Sequence, residues 1–314
     1  MLKTNQSGVG LARGAERGEN RRMTKAKISA TIELEYETFG DPKNPALLLV
    51  MGYTAQMVAW DEEFCKMFAA KNLFVIRFDN RDCGLSTKFD DVKVDTNAVI
   101  TAALMQEPMP PVPYTLSDMA GDAVGLLDHL KIDRAHVLGA SMGGMIAQVM
   151  TIEHATRVRT LTSVMSMSGE PEYGQSAPEA MNALLSVPPS DRAAYIAHSP
   201  IYQAFHSKKY RSDENSKQAA ARDFDRMYYP QGAQRQLAAI YSSGYRTEQL
   251  RRVKTPTLVI HGKDDTLITP SGGERTAELI PNAKFVLVED MGHDLPKPLW
   301  RDFVELVADF VAKN

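Results

Sequence analysis

Ser141 stands at the centre of Gly139-Ala140-Ser141-Met142-Gly143, a G-x-S-x-G spacing. An apolar run, Ala135 to Leu138, leads into it, and a helix-like run from Met142 to Thr151 leaves it. A sharp turn between a buried strand and a helix holds one serine hydroxyl out of the sheet, near the positive end of the helix dipole. That is a position for a nucleophile. The small residues let the backbone pass close to itself. Three fixed positions of this kind match by chance about once in 3,000 windows, so a chain of this length shows one about a tenth of the time. The chemistry must therefore be judged from the rest of the chain.

A serine hydroxyl attacks well only when a base takes its proton, and the base is usually a histidine oriented by a carboxylate. Two later strand-like runs end in such residues. Thr257 to His261 runs into Gly262-Lys263-Asp264-Asp265, and Lys284 to Val288 runs into Glu289-Asp290-Met291-Gly292-His293. Parallel strands would bring all three loops to one edge of a sheet. Of the seven histidines, His136 and His129 fall inside a strand and a helix, His154 follows a helix, and His198 and His206 lie in a separate region. His261 ends a strand just before the acidic loop and reads as a turn support, with a place near the site as the alternative. His293 follows the last strand and a glycine that lets the loop fold back, and it is the expected base. Asp264 and Asp265 are neighbours that must point in different directions, so one serves His293 and the other caps the loop or meets water. The residues alone leave that choice open. A developing oxyanion needs backbone donors. Met142, just after the serine, supplies one N–H. The loop Met51-Gly52-Tyr53-Thr54, after an earlier apolar run, supplies the other through Tyr53, with Gly52 permitting close approach.

The elements that must position these groups follow from hydropathy period. Ile28 to Phe39 alternates apolar and polar residues, as an edge strand with one wet face does. Ala46 to Met51 and Leu73 to Phe78 are continuously apolar, as strands buried on both faces are. A helix is expected from about Asp61 to Lys71. A second begins at Thr115, with Asp118 in its first turn and Leu116, Met119, Ala123, Leu126, Leu127 and Leu130 at helical spacing. Arg159 to Met165 is a further strand, and helices are expected at Gly273 to Leu279 and Trp300 to Val311. This alternation implies an α/β fold with a mostly parallel, doubly wound sheet. It stops between residues 167 and 255, where proline-punctuated helical runs hold eight of the eleven tyrosines. The expected organisation is a leader at 1–25, a core at 26–166 and 256–314, and a helical cap at 167–255 over the carboxyl edge of the sheet, where ligands bind in such folds. Tyrosine suits a cover that buries carbon yet meets water.

Composition narrows the function. The chain has 314 residues, 44% hydrophobic and 24% charged, with a formal net charge of −3, so no basic field invites nucleic acid or an anionic membrane. No apolar run reaches the roughly 18 residues of a membrane span. Cys65 and Cys83 form neither a disulfide framework nor a zinc pattern and read as reduced thiols of a cytoplasmic protein. The leader lacks the apolar segment of about 7–15 residues that a secretory signal requires. It is expected to be disordered, with Met23 as an alternative start.

With these motifs in place, the chain resembles the α/β-hydrolase superfamily from about Ile28 to Ala312. The resemblance rests on Met51-Gly52-Tyr53, on Asp79-Asn80-Arg81-Asp82-Cys83-Gly84-Leu85-Ser86, on Gly139 to Gly144, on His261-Gly262-Lys263-Asp264-Asp265 with Pro270, and on Gly292-His293. The chain order serine, acid, histidine is that of this superfamily. The resemblance implies that the acid sits three residues after the loop glycine, which selects Asp265. It implies that the turn containing Arg81 and Asp82 is structural. The loop carries Met51-Gly52 where the family often has His-Gly, so a side-chain contact from that histidine is missing. Together the loop and turn resemble the aclacinomycin-methylesterase-like branch of small-molecule esterases.

The expected activity is that of a serine esterase acting on small, largely apolar esters, with Ser141, Asp265 and His293 as the triad and the Tyr53 and Met142 N–H groups as the oxyanion hole. It calls for no cofactor and no metal ion. Met51, Met57, Met142, Met165 and Met167 near strand ends offer either an adaptable pocket wall or ordinary core. The same triad also fits a cofactor-free carbon–carbon hydrolase or perhydrolase, and the fold also fits a small-ligand receptor without turnover.

Overall fold

The computed structural model describes residues 24–314. The leader up to residue 23, and with it the alternative start at Met23, lies outside the described residues. Eight strands form one sheet among the described residues: β1 (Thr24–Lys27), β2 (Glu33–Phe39), β3 (Ala46–Val50), β4 (Phe74–Phe78), β5 (Ala135–Ala140), β6 (Val158–Val164), β7 (Thr257–Gly262) and β8 (Lys284–Val288), in the order β1-β2-β4-β3-β5-β6-β7-β8. From β4 across to β8 every pairing is parallel, while β2 runs antiparallel to β4 and β1 antiparallel to β2.

Two details differ from the sequence reading. The alternating run from Ile28 to Phe39 is not one strand: the Ile28 N–H donates to the Ile32 carbonyl at 3.0 Å and closes a turn before β2 begins. β1 then starts at Thr24, inside the stretch assigned to the leader. A two-residue alternation persists across a tight hairpin, so period alone does not reveal where the strand folds back.

β3, β4, β5 and β7 are buried at every position. Alternation sends Leu48, Val50, Ile76 and Val137 to one face and Leu47, Leu49, Val75 and Leu138 to the other. The first face packs against α3 (Leu116–His129) and α4 (Met142–Glu153), the second against α1 (Glu62–Ala69) and α11 (Trp300–Ala312). Each such aliphatic side chain contributes about 1.5–3 kcal/mol on burial. Local signals start the helices. Asp61 Oδ1 accepts from the Glu63 N–H at 2.8 Å, and Thr115 and Asp118 form a reciprocal capping box. One helix, α2 (Thr96–Met105), is not among those expected from hydropathy period. Asp95 caps it; Val99 and Ala102 are buried while Leu104 and Met105 are 64% and 69% exposed, so its apolar residues do not sort cleanly onto one buried face.

Between β6 and β7 the chain folds as α5 (Pro178–Leu184), α6 (Arg192–His198), a 3-10 turn (Ser199–Ala204), α7 (Asp213–Arg226), α8 (Gly232–Ser242) and α9 (Thr247–Leu250); α10 (Pro270–Leu279) follows β7. Tyr195, Phe224 and Tyr228 pack ring on ring with centroids 4.9–5.8 Å apart, holding this helical segment together. Arg235 of α8 fixes it to the turn after β4: its Nε and Nη2 donate to the Asp82 carboxylate at 2.8 and 2.9 Å.

Candidate active site

Ser141 joins β5 directly to α4 with φ +56° and ψ −123°, a conformation costing an L-residue roughly 1–3 kcal/mol. The surroundings enforce it. A Cβ added at Gly139 would lie 2.1 Å from the Gly143 carbonyl oxygen, and one at Gly143 would lie 2.1 Å from that of Val50. Only glycine lets the first turn of α4 sit against the ends of β5 and β3. Both backbone groups of Ser141 are engaged. Its N–H donates to the Val164 carbonyl at 2.9 Å, and its carbonyl accepts from Gly144 N–H and from Ser166 Oγ, each at 2.9 Å. Its side chain makes no capping bond and stays partly exposed.

Met142 opens α4, so its N–H has no carbonyl one turn back to bind. The loop after β3 runs beside the serine: a Cβ on Gly52 would be 3.0 Å from Ser141 Cβ and 3.6 Å from its Oγ. The next N–H, that of Tyr53, meets no acceptor among the described residues. The Met142 side chain is buried in the core, as are Met51, Met57 and Met165; of the five methionines weighed for a pocket wall only Met167 is partly exposed.

Asp265 follows β7 by three residues and is almost wholly buried. Its Oδ1 accepts from the Leu267 and Ile268 N–H groups at 2.9 and 3.0 Å, which closes the loop on itself. Its Oδ2 accepts from His293 Nδ1 at 2.8 Å. Burial alone pushes this carboxyl up, but the neighbouring His293 and the hydrogen bonds from His261 and His293 hold it below the usual carboxylate range. A carboxylate at Nδ1 fixes the proton there and leaves Nε2 with a lone pair for a substrate-side proton. Asp264 is used elsewhere: its Oδ2 accepts from the Lys208 N–H at 3.2 Å, and its Oδ1 lies 3.4 Å from Lys208 Nζ.

His261 does more than support a turn. Its Nε2 lies 2.7 Å from the Ile268 carbonyl and 3.3 Å from Asp265 Oδ2, beneath the same carboxylate that holds His293. The other histidines are placed apart from Ser141 or in supporting positions. His136 contacts Thr160 within the sheet, His129 packs edge-on to Tyr36, and His198 contacts Ser186. His206 is pushed down by burial, with Asp294 opposing. No hydrogen bond joins Ser141 Oγ to the His293 ring among the described residues. Such contacts are commonly long without a bound substrate and tighten with it.

The helical segment reaches the same place. The Phe205 carbonyl accepts from the His293 N–H at 2.7 Å, and the Phe205 ring stands edge-on to the imidazole at 5.9 Å. Tyr202 lies 6.1 Å from Phe205, ring to ring. Burial, with Tyr202 adding, pushes the Tyr53 phenol up to about 12, so it is a neutral donor. Tyr202, Phe205 and His293 thus form a chain of aromatic ring contacts. Sequence reading missed Phe205, and no local pattern distinguishes it from other aromatics of that segment.

In the turn after β4, Arg81 and Asp82 are both paired. Arg81 binds Asp122 through Nε and Nη2 at 2.6 and 2.7 Å, and Asp82 accepts from Tyr114 Oη at 2.6 Å as well as from Arg235. Among the described residues no group of three or more His, Cys, Asp or Glu could hold a metal ion, and no helix is long and apolar enough to cross a membrane.

Comparison with known proteins bears on the family and the fold. A family model described as "alpha/beta hydrolase fold" matches residues 45–296. Rhodomycin D methylesterase of Streptomyces sp. strain C5 is 28% identical over 303 residues, covering 88% of this chain and 92% of its own length. Rhodomycin D methylesterase of Streptomyces peucetius is 27% identical over 301 residues, covering 87% and 93%. The crystal structure of the enol-lactonase from Burkholderia xenovorans LB400 superposes with a TM-score of 0.69 at 23% identity, over 92% of this chain and all of that one. At that identity the likeness speaks for the fold.

Proposed function

The chain belongs to the α/β-hydrolase fold family, and we propose that it is a serine hydrolase that cleaves carboxylic esters of small, largely apolar molecules. The observation that carries this reading is the pairing of a strained Ser141, whose side chain makes no capping bond, with an Asp265–His293 couple delivered by neighbouring strand ends. Ser141 Oγ attacks the ester carbonyl as His293 Nε2 takes its proton. Asp265 holds the imidazole by Nδ1 and stabilises the imidazolium that forms. The N–H groups of Tyr53 and Met142 receive the oxyanion. His293 then returns the proton to the leaving alcohol, and an activated water releases the acyl group from Ser141. The helical segment acts as a cap that presents Tyr202 and Phe205 to the substrate.

The likeness to two methylesterases, end to end, supports a methyl or other small-alcohol ester. The rings of Tyr202 and Phe205 beside His293 support an acyl part with flat apolar surface. A panel of methyl and nitrophenyl esters, run beside a lactone and a β-diketone, tests the reading. Ester turnover that vanishes in Ser141→Ala, with fluorophosphonate labelling lost in the same variant, is the expected result. Preference for the diketone would transfer the triad to carbon–carbon hydrolysis, and labelling without turnover of any member would favour a receptor.

A further inference from the structure

A backbone donor works in an oxyanion hole only if it is held within a few tenths of an ångström of the developing charge. The loop that carries the Tyr53 N–H has no regular secondary structure to hold it. Thr54 adopts φ +57°, a left-handed conformation that is costly for a β-branched residue. The loop therefore does not hold its shape unaided; its neighbours impose it.

Three contacts do so. Asn80 Nδ2 donates to the Met51 carbonyl at 2.8 Å, and Cys83 Sγ donates to the Thr54 carbonyl at 3.2 Å. Both come from the turn after β4. The third comes from the helical segment: the Thr54 N–H donates to Gln236 Oε1 at 2.8 Å. Gln236 lies on α8 and is fully buried. Its Nε2 donates to the Arg81 carbonyl at 2.9 Å. One end of the amide needs an acceptor and the other a donor, so only one orientation satisfies both. The adjacent Arg235 pins the same helix turn to Asp82.

We propose that Gln236 is a positioning residue for oxyanion stabilisation: its carboxamide sets the Tyr53–Thr54 peptide, and so places the Tyr53 N–H, from the helical segment. Catalysis then depends on that segment through a hydrogen bond to the loop as well as through substrate contacts. The proposal rests on the serine-hydrolase reading above.

The test uses the full chain and an ester that the wild type turns over and Ser141→Ala does not, so a failure of the enzymatic reading appears before Gln236 is touched. Gln236→Met keeps the volume and removes both hydrogen bonds. Rates are taken per active site, counted by exhaustive fluorophosphonate labelling. The expected result is kcat lowered by about 10- to 100-fold with KM within about threefold. The affinity for a trifluoromethyl ketone, which binds as an oxyanion adduct, falls by a similar factor. Gln236→Glu, which as the neutral acid keeps an oxygen toward the Thr54 N–H and an O–H toward the Arg81 carbonyl, recovers most of the rate at a pH low enough to protonate it. A kcat per labelled site within twofold of wild type in Gln236→Met overturns the proposal, as does a change confined to KM. Should Gln236→Met not fold, Gln236→Asn, which withdraws the amide from Thr54 by one methylene, is read against the same two limits.

Discussion

Asp265 gives one carboxylate oxygen to His293 Nδ1 at 2.8 Å and the other to its own loop, through the Leu267 and Ile268 N–H groups. The imidazole is thereby held by a carboxylate that cannot swing away. In the proposed mechanism, Asp265→Asn presents an amide N–H or a weaker acceptor to Nδ1 and disturbs the tautomer. We expect kcat/KM to fall by about 10³–10⁴, as for triad carboxylates generally. Asp264→Asn, at a group turned toward Lys208, should stay within a few-fold of wild type. Steady-state kinetics on one ester compares the two; equal losses would remove Asp265 from its assigned role.

The turn at Ser141 leaves no room for a side chain at Gly143, where a Cβ would sit 2.1 Å from the Val50 carbonyl oxygen. Backbone cannot rotate out of the way as a side chain can. Gly143→Ala should cost about 3 kcal/mol or more, beyond the usual range for an overpacked core, because β3 or α4 must move. Urea unfolding followed by circular dichroism measures it. An unchanged midpoint would mean that the close approach is not maintained in solution.

Arg235 and Asp82 are both almost wholly buried, and the pair joins the helical segment to the core. Removing one partner leaves the other charge buried without its counterpart. Arg235→Met should therefore destabilise the fold by about 3–5 kcal/mol, and adding Asp82→Asn should recover part of that loss. A double-mutant cycle in urea supplies the coupling, and strictly additive losses would contradict it.

His136 lies within the sheet, where burial, with Arg159 and Arg134 adding, pushes it down to about 4. The unfolded chain takes up this proton near pH 6.5, while the folded protein refuses it until about pH 4. Stability is therefore full above pH 6.5 and falls as pH drops toward 4, by up to about 3 kcal/mol from this residue. Guanidinium unfolding between pH 7 and 4 should show a decline that His136→Leu lacks in that window. Parallel pH dependence in the two proteins would assign the acid sensitivity to other groups.

Local pattern carried a large part of this protein. Period and apolar runs placed Ser141, Asp265 and His293 after β5, β7 and β8, because a strand buried on both faces is a property of consecutive residues. The Thr115 cap, with Asp118 in the first turn, was legible for the same reason. The hairpin inside residues 28–32 and the helix α2 were not, since one hides within an unbroken alternation and the other mixes buried Val99 and Ala102 with exposed Leu104 and Met105.

By itself the sequence determined a parallel sheet with a serine, an acid and a histidine on successive loops, and the helical nature of the segment between β6 and β7. The residues alone left two adjacent aspartates open and the family resemblance pointed to Asp265; only the tertiary structure put its carboxylate against His293 with His261 beneath it, and brought Phe205 and Gln236 to the active-site loops. Those relationships join residues far apart in the chain. Gln236 is 182 positions from Thr54, and a hydrogen bond across that separation leaves no trace in the spacing of either residue. It exists only because α8 is pinned over the ends of β3 and β4.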